Sequence, residues 1–282
     1  MPDIRYVASG RAVLAAEAVG KGQPVIFLHS NAGDRREWHG PMGRVGTAYQ
    51  AVAYSRRGFG ETRAVREDHS AVADLMAVLD AMTDGTPTVL VGCSMGGKIA
   101  LDAALRHPTR VRGLVLIAPS VEGAPPPDHP PEIAETMVWA QAAEASGDPD
   151  RMAAARARLW LDGPLAPEGR VKGAARRLFL DMIGIALRAP PVGANFDWAP
   201  AYGQLGTVTV PTLVVQGDLD FPHIQARSRH VATTVPDGSW GGMTGVAHLP
   251  ALERPDEVAD LVGHFLSRCL AESRMSVRRT VV

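Results

Sequence analysis

The sequence is poor in several features that mark large classes of protein. Only two of its 282 residues are cysteine, Cys93 and Cys269, too few for the disulfide framework of a small secreted domain. Cysteine and histidine nowhere show the spacing of a zinc site, so no metal is expected. The formal net charge of -1 provides no broad field for binding nucleic acid or an anionic membrane. Apolar runs such as 113–119 are too short to span a bilayer.

The same absences indicate where the protein works. The N-terminal stretch MPDIRYVASG lacks the apolar core of a signal peptide. We therefore expect a reduced, cytoplasmic and soluble protein. Hydrophobic residues make up 46% of the chain and charged residues 21%, so a chain of this length can bury a large core. Nothing in the composition indicates an oligomeric state.

Short β-branched runs alternate with helical stretches over much of the chain. The runs that read as buried strands are Val25–His29, Tyr49–Tyr54, Pro87–Cys93, Val111–Ala118 and Thr212–Gln216. The stretches with helical periodicity are Ser70–Met82, Gly97–His107 and Pro255–Leu270. Residues 4–18 have the pattern of an antiparallel hairpin that leads into the sheet. The alternation predicts an α/β protein with a mostly parallel sheet and helices on both faces.

This alternation stops for a long stretch in the middle of the chain. Proline-rich joints at 124–131 and 189–200 flank sequence with helical character. An insertion of about 85 to 90 residues is too long for a loop within a compact domain. We predict that residues 1–120 and 207–282 form the α/β core and that residues 121–206 form a helical cap over one end of the sheet.

The strongest chemical signal is the motif Gly92-Cys93-Ser94-Met95-Gly96, which lies between a predicted strand and a predicted helix. A serine at such a sharp turn takes strained backbone angles that lift its hydroxyl off the sheet edge. Glycine is needed two positions to either side, because side chains there would clash where strand and helix cross. The motif predicts Ser94 as a nucleophile, and the alternative is a glycine-rich turn without a chemical role.

A serine hydroxyl is a weak nucleophile and needs a base that is oriented by a third group. Of the nine histidines, His248 is the best placed, because it lies in a loop before the last helix. Parallel sheets bind ligands in the loops beyond the carboxyl ends of their strands. The other histidines lie in helices or polar loops, apart from His29 at a strand end that borders the site. We predict His248 as the base, and the alternative is a structural histidine.

The acid should lie between the serine and the histidine in the chain, which is the order found in sites built on this strand-turn-helix unit. The turn Gly217-Asp218-Leu219-Asp220 follows the last predicted strand and offers two aspartates. Spacing alone leaves the choice between Asp218 and Asp220 open.

The oxyanion formed by attack on a carbonyl group needs preorganised N–H donors. One donor should be the backbone of Met95, at the positive end of the helix that follows the serine. The second should come from the loop His29-Ser30-Asn31-Ala32-Gly33, in which Asn31 is the candidate. The alternative interpretation of this segment is an ordinary glycine and asparagine turn.

With these motifs the sequence resembles the capped α/β-hydrolase family over roughly residues 12–120 and 207–270. The resemblance is clearest in Gly92-Cys93-Ser94-Met95-Gly96-Gly97-Lys98-Ile99-Ala100-Leu101 and in Ala247-His248-Leu249-Pro250. Within the family the sequence is most similar to the bacterial esterase, enol-lactonase and C–C hydrolase branch. The resemblance implies the α/β-hydrolase fold, a mechanism without a cofactor, and Asp220 as the acid.

The sequence departs from the family pattern at three places. Ser30 stands where the family usually has glycine, which narrows the loop that carries the second donor. Ser55 stands where the family usually has aspartate, at a position that braces loops. Leu249 follows the histidine where C–C bond hydrolases usually have tryptophan. The last difference favours cleavage of an ester or lactone over cleavage of a C–C bond.

The sequence therefore predicts acyl transfer from a small or medium carboxylic ester or lactone to water. The residues predicted to contact the substrate are His29, Ser30, Trp139, Trp160 and Leu249. Aromatic residues at helical spacing in the cap alternatively pack its core. The alternatives on the same residues are a C–C hydrolase and an acyltransferase, and a further alternative is a ligand-binding protein without turnover. A serine nucleophile argues against epoxide hydrolases and haloalkane dehalogenases, which use a carboxylate.

Overall fold

One mixed sheet forms the centre of the computed structural model, which describes the backbone of residues 4–279 and the side chains of residues 4–269. The strands of this part are β1 (Arg5–Ser9), β2 (Ala12–Val19), β3 (Pro24–Leu28), β4 (Gln50–Tyr54), β5 (Thr88–Cys93), β6 (Val111–Ile117), β7 (Thr212–Gly217) and β8 (Gly238–Met243). They lie side by side in the order β1-β2-β4-β3-β5-β6-β7-β8. The pairs β1–β2 and β2–β4 are antiparallel, and all others are parallel. The predicted mostly parallel sheet with an entry hairpin is confirmed.

Helices cover both faces of this sheet. The α-helices of the described residues are α1 (His39–Val45), α2 (Ala71–Met82), α3 (Met95–Arg106), α4 (Pro131–Ala145), α5 (Pro149–Arg156), α6 (Gly173–Arg188), α7 (Pro222–Thr234), α8 (Pro250–Glu253) and α9 (Pro255–Arg279). The other helical segments are the 3-10 turns Arg35–Trp38, Pro108–Arg110 and Ala201–Thr207 and the π-helical segment Ala157–Asp162. Helices α2, α3 and α7 pack on one face of the sheet, and α1 and α9 pack on the other.

Successive side chains of the central strands enter two separate cores, because they point to opposite faces of the sheet. In β3, Val25 and Phe27 pack in the core under α1 and α9. Ile26 and Leu28 pack in the core under α2, α3 and α7, and all four side chains are buried. Burial on both faces explains why these strands are continuous apolar runs in the sequence.

The elements absent from the sequence prediction include β8 and α1. The β8 sequence Gly238–Met243 contains three glycines and a half-exposed tryptophan, so its strand propensity is low and pairing with β7 decides its conformation. Helix α1 has two glycines and a proline among its seven residues, which hides its helical character. Both elements are stabilised by tertiary contacts: β8 pairs with β7, and α1 packs against α9.

The stretch between β6 and β7 consists of helices and loops. Residues 121–206, called the inserted segment below, contain α4, α5 and α6, and the structure assigns no strand to this fully described range. Ile133 and Leu159 of this segment pack with Ala118 and Phe221. Ala118 directly follows β6, and Phe221 follows the turn after β7. The inserted segment therefore lies against the carboxyl ends of the strands, and its status as a separate cap domain stays a prediction.

Candidate active site

Ser94 occupies a sharp turn between β5 and α3. Its backbone angles, φ 51° and ψ -112°, lie in a region that residues with a side chain rarely adopt. The Ser94 N–H donates to the Ile117 carbonyl oxygen at 2.9 Å, and the Ser94 carbonyl oxygen accepts from the N–H groups of Lys98 and Ser120 at 3.0 Å each. These bonds hold the turn in its strained conformation and leave the serine side chain at a cavity wall.

Close packing requires the two glycines that flank this turn. A Cβ atom on Gly92 would collide with the carbonyl oxygen of Gly96, and a Cβ atom on Gly96 would collide with the carbonyl oxygen of Leu28. Both obstacles are backbone atoms of regular elements, which cannot move aside as a flexible side chain can. The spacing of the motif thus follows from the crossing of β3, β5 and α3.

The structure brings His248 and Asp220 together. His248 Nδ1 lies 2.7 Å from Asp220 Oδ2, and both side chains are buried. Asp220 Oδ1 accepts a hydrogen bond from the Phe221 N–H at 2.7 Å, which fixes the carboxylate. Asp218 is exposed, and its carboxylate accepts from the Gly245 N–H at 2.7 Å. Of the two aspartates that spacing left open, Asp220 is the one in contact with His248.

His248 is held between the sheet and the inserted segment. Its carbonyl oxygen accepts a hydrogen bond from the Cys93 thiol at a distance of 3.6 Å. The Trp160 ring packs on the imidazole with 4.8 Å between the ring centroids. Burial raises the pKa of the Cys93 thiol well above its usual range, so this cysteine is an uncharged structural group and not a second nucleophile.

Arg56 fixes the loop after β3, residues 29–33, which we call the 29–33 loop. Its guanidinium donates to the Ser30 carbonyl oxygen at 2.8 Å and to Asn31 Oδ1 at 2.9 Å. Its backbone N–H donates to His29 Nε2 at 3.0 Å, which leaves His29 Nδ1 as the donor to the Ser30 carbonyl oxygen at 2.7 Å. Burial, with the Arg56 charge, holds the pKa of His29 well below its ordinary value. His29 is therefore a neutral brace of this loop.

The N–H groups at the tip of the 29–33 loop have different partners. The Ser30 N–H donates to Glu37 Oε2 at 3.1 Å, and the Ala32 N–H donates to Ser30 Oγ at 3.1 Å. Among the described residues, no acceptor is bonded to the Asn31 N–H. The Met95 N–H is the first of α3, where the helix itself provides no acceptor. The N–H groups of Asn31 and Met95 are therefore available to a ligand.

Ser94 and His248 line the same cavity, which has a volume of about 560 Å³. The core contributes Ser30, Asn31 and Ala32 to its wall. The inserted segment contributes the apolar side chains of Met137, Leu159 and Trp160 with two alanines, and the polar side chains of Gln141, Glu144 and Arg156. The cavity thus joins the reactive groups of the core to a wall of mixed polarity from the inserted segment.

Three of the residues predicted to contact the substrate do not line this cavity, and their contact with a substrate stays a prediction. These three residues, all with described side chains, are His29, Leu249 and Trp139. His29 and Leu249 are completely buried, and Trp139 on α4 is 44% exposed. Helix α4 has no clear apolar face, so its sequence could not separate wall residues from surface residues. Ser30, Asn31 and Trp160 do line the cavity.

Three polar residues near the cavity were not found from the sequence. Glu37 contacts Ser30 across seven positions of irregular chain, for which no periodic signal exists. Arg156 Nε and Nη2 donate to the two Glu144 carboxylate oxygens at 2.8 and 3.0 Å, joining α5 to α4. Charged residues on a helix usually face solvent, so the pattern alone gave no reason to place this pair at a site.

Within residues 4–269, no group of three or more histidine, cysteine, aspartate or glutamate side chains is arranged to hold a metal ion. None of the described helices combines the length and apolar content needed to cross a membrane.

His129 and His223 form a ring pair with centroids 5.2 Å apart. Burial lowers the pKa of His223 to about 4, so this ring is neutral.

The family model described as "Alpha/beta hydrolase family" matches residues 25–261, which include most of β3, all of β4 to β8, and Ser94, Asp220 and His248. The chain therefore belongs to the α/β-hydrolase family. This match and the sheet order confirm the predicted fold class, and the match supports hydrolase activity.

Individual relatives are similar over most of their length. The chain is 29% identical over 211 residues to the pimeloyl-(acyl-carrier protein) methyl ester esterase of Aromatoleum aromaticum, covering 67% of this chain and 78% of that protein. A solved thermophilic esterase from Thermogutta terrifontis matches with TM-score 0.75 and 22% identity, covering 95% of this chain and 99% of that one. The enol-lactonase from Burkholderia xenovorans LB400 matches with TM-score 0.71 and 19% identity, covering 93% and 100%. The predicted likeness to the esterase and enol-lactonase branch agrees with these neighbours.

Proposed function

We propose that this protein is a serine hydrolase that cleaves a small or medium carboxylic ester or lactone through an acyl-enzyme on Ser94. One observation carries the proposal: a strained serine lines one cavity together with a buried histidine, and that histidine is paired with a carboxylate. Family membership supports hydrolysis as the class of reaction. The substrate class rests on the cavity and on the esterase and lactonase among the neighbours.

Catalysis begins with attack of Ser94 Oγ on the carbonyl carbon of the substrate. His248 Nε2 removes the serine proton as the new C–O bond forms. Asp220 accepts a hydrogen bond from the Nδ1–H group, which keeps the imidazole in the tautomer whose Nε2 can act as a base. Because the pair is buried, the carboxylate stabilises the imidazolium more strongly than it would in water.

The N–H groups of Asn31 and Met95 donate hydrogen bonds to the carbonyl oxygen, on which negative charge develops in the transition state. They belong to the 29–33 loop and to the first turn of α3, whose positive end adds to the stabilisation. Because both elements are fixed before the substrate binds, little reorganisation is needed in the transition state. Loss of one such donor typically lowers kcat on the order of 10²–10³-fold.

The tetrahedral intermediate then collapses and expels the alcohol, which takes the proton held by His248. A water molecule next loses a proton to His248, and its oxygen attacks the acyl carbonyl carbon. Collapse of the second intermediate releases the carboxylic acid and returns the proton to Ser94. With a lactone, the leaving alcohol and the acid are parts of one molecule.

The inserted segment acts in this proposal as a cap that shapes the acyl site. Trp160 covers one face of His248, and Met137 and Leu159 extend the apolar wall. Apolar side chains there favour an apolar acyl chain and exclude bulk water, which strengthens the electrostatic interactions of the reacting groups. The Glu144–Arg156 pair adds a polar region to the same wall.

A panel of p-nitrophenyl esters of increasing acyl length, together with small lactones, tests the substrate class. We expect turnover by the wild-type protein on short to medium substrates, with the free acid as the product even when alcohols or amines compete with water. Transfer to the added nucleophile would instead indicate an acyltransferase. Absence of turnover across the panel would contradict the proposal.

A further inference from the structure

Glu37 is a buried carboxyl group that the proposed mechanism does not use. It lies in the 3-10 segment Arg35–Trp38 and is 1% exposed. Glu37 Oε2 accepts two hydrogen bonds from Ser30, from the hydroxyl at 2.8 Å and from the N–H at 3.1 Å. Its other oxygen, Oε1, is buried without a hydrogen-bond partner among the described residues. Burying a carboxyl group with hydrogen bonds to only one of its two oxygens costs free energy. This cost suggests that the contacts of Glu37 with Ser30 have a role beyond stability.

Through Ser30, the hydrogen bond to Glu37 also restrains the backbone of the next residues of the 29–33 loop. A hydroxyl has one proton, and Ser30 donates it to Glu37. The oxygen lone pairs of Ser30 are then free to accept, and they accept from the Ala32 N–H at 3.1 Å. The N–H groups of Ser30 and Ala32 are both occupied within the protein. Of the three consecutive residues 30–32, Asn31 is the one whose N–H lacks an acceptor in the described structure.

The neighbouring residues are arranged to admit this carboxyl group. A Cβ atom on Gly33 would collide with Glu37 Oε2, so glycine at this position leaves the space that the carboxylate occupies. A glycine at position 30 would lack the hydroxyl that links Glu37 to the Ala32 N–H. Ser30 and Glu37 thus form one hydrogen-bonded unit. Glu37 orients the Ser30 hydroxyl, and the oriented hydroxyl accepts from the Ala32 N–H.

Glu37 also lies beside the segments that carry the nucleophile and the base. His248 and the Cys93 thiol are electrostatic neighbours of its carboxyl group. The Cys93 thiol in turn donates to the His248 carbonyl oxygen. The carboxyl group therefore lies where the 29–33 loop, the end of β5 and the histidine loop meet.

We propose that Glu37 is a positioning residue that, through Ser30, selects the Asn31 N–H as the oxyanion donor and holds it opposite Met95. The inference rests on the proposed function, because an oxyanion forms only if Ser94 attacks a carbonyl carbon. Glu37 does not line the cavity and acts through the backbone of residues 30–32. Without its carboxyl group, three N–H groups of this loop can reorient, and the donor array loses its order.

Steady-state kinetics of Glu37→Ala, Glu37→Gln and Ser30→Ala on the best ester of the panel test this role. Glu37→Ala should lower kcat on the order of 10- to 100-fold with KM within about twofold, because an ordered donor matters most when charge develops. Glu37→Gln keeps an acceptor oxygen for Ser30, so its kcat should stay within about threefold of wild type. The double variant Ser30→Ala/Glu37→Ala should lose about as much as the worse single variant, since the two residues act as a unit.

Asp197→Ala is the matched control. Asp197 is a buried carboxylate that likewise accepts from a serine hydroxyl and a backbone N–H, those of Ser70 and Val72, at 2.7 and 2.8 Å. It does not line the cavity. Asp197→Ala should therefore lower Tm without changing kcat. The rate at which a fluorophosphonate labels Ser94 gives a second readout. This rate should fall with kcat in Glu37→Ala but not in Asp197→Ala, because phosphonylation also develops charge on an oxygen.

The outcomes separate this inference from the proposed function. A folded Glu37→Ala protein with wild-type kcat overturns the inference and leaves the proposed function standing. An equal loss of kcat in Asp197→Ala also overturns it, because the effect is then a general loss of structure. If Glu37→Ala does not fold, the kcat of Ser30→Ala tests the inference in its place. A wild-type kcat in Ser30→Ala then overturns the inference. Wild-type protein without esterase or lactonase turnover contradicts both.

Discussion

Asp218 and Asp220 lie two residues apart on the turn after β7, yet only Asp220 is buried against His248. Asp220→Asn should lower kcat on the order of 10³–10⁴-fold, because the amide favours the tautomer that leaves Nε2 unable to accept a proton. Asp218→Asn is the matched control, and its kcat should stay near that of wild type. Steady-state kinetics of the two variants provide the check, and a reversed order of losses would assign the acid to Asp218.

Glu37 should make the stability of the protein depend on pH. Burial, opposed by the bonds from Ser30, raises the pKa of Glu37 to about 7 from its ordinary value of 4.5. A carboxyl group whose pKa is raised on folding stabilises the fold below pH 4.5, and this contribution is lost as the pH rises through about 7. The loss amounts to about 3 kcal/mol when the titration is complete. The charged or titratable groups around Glu37 are Cys93, His248 and Arg56.

Denaturant unfolding of wild type and Glu37→Gln at pH 5 and pH 8 measures this contribution. Relative to the glutamine variant, the wild-type protein should lose on the order of 2–4 kcal/mol of unfolding free energy between the two pH values. All other titrating groups are common to the two proteins, so the difference isolates Glu37. Parallel pH dependence in both proteins would mean that Glu37 ionises as freely in the folded state as in the unfolded chain.

Single residues differ in how far their roles could be predicted from the sequence. Ser94 was identifiable because the crossing of strand and helix imposes glycine on both sides of the serine, which is a local constraint. The choice of Asp220 required burial, which is a tertiary property that spacing on a turn does not encode. Glu37 left no sequence signal at all, because its partner Ser30 is reached through a loop and a 3-10 turn without periodicity.

At the scale of elements, three of the large aromatic residues in the inserted segment have different surroundings. Trp160 lines the cavity, Phe179 on α6 is completely buried, and Trp139 on α4 is 44% exposed. Trp160→Ala should shift the preferred acyl length, because each methylene is worth roughly 1–3 kcal/mol of discrimination. Phe179→Ala should cost about 3–5 kcal/mol of stability without changing this preference. Trp139→Ala should change neither quantity.

Chain-length profiles and thermal unfolding of the three variants separate these roles. A Trp160→Ala profile identical to that of wild type would show that the core loops alone define the acyl site. A shifted profile for Trp139→Ala would place α4 differently over the cavity from the arrangement seen in the structure.

The elements themselves were predictable to different degrees. Strands β3 to β7 are apolar runs buried on both faces, so their composition marks them in the sequence. The glycine-rich β8 and the short α1 are stabilised by neighbours distant in sequence, which local patterns do not report. Helix α4 shows the same limit, because its few buried residues do not define a face.

At the scale of the whole molecule, the strand order explains how distant residues meet. Asn31 follows β3, Ser94 follows β5, Asp220 follows β7 and His248 follows β8. Since β3, β5, β6, β7 and β8 are adjacent and parallel, their carboxyl ends lie at one edge of the sheet. The parallel topology thus places all four residues in neighbouring loops, where such sheets bind ligands.

The same topology serves many reactions, so the fold does not define the substrate. The solved structures similar to this chain include an esterase and an enol-lactonase at about the same structural distance. The differences that select a substrate belong to the cavity wall from the inserted segment and to the 29–33 loop. Measurements of specificity should therefore focus on Trp160, on the Glu144–Arg156 pair and on Ser30.

The central claim is that Ser94 forms the covalent intermediate. Mass spectrometry of the protein after reaction with a fluorophosphonate tests it most directly, with Ser94→Ala as the variant and Ser228→Ala, a buried serine on α7, as the control. We expect a single adduct on the peptide that contains Ser94 in the wild-type and Ser228→Ala proteins, both of which also hydrolyse the ester panel. Ser94→Ala should fold with unchanged Tm, carry no adduct and show no turnover. An adduct at another residue, or full turnover by Ser94→Ala, would contradict the claim.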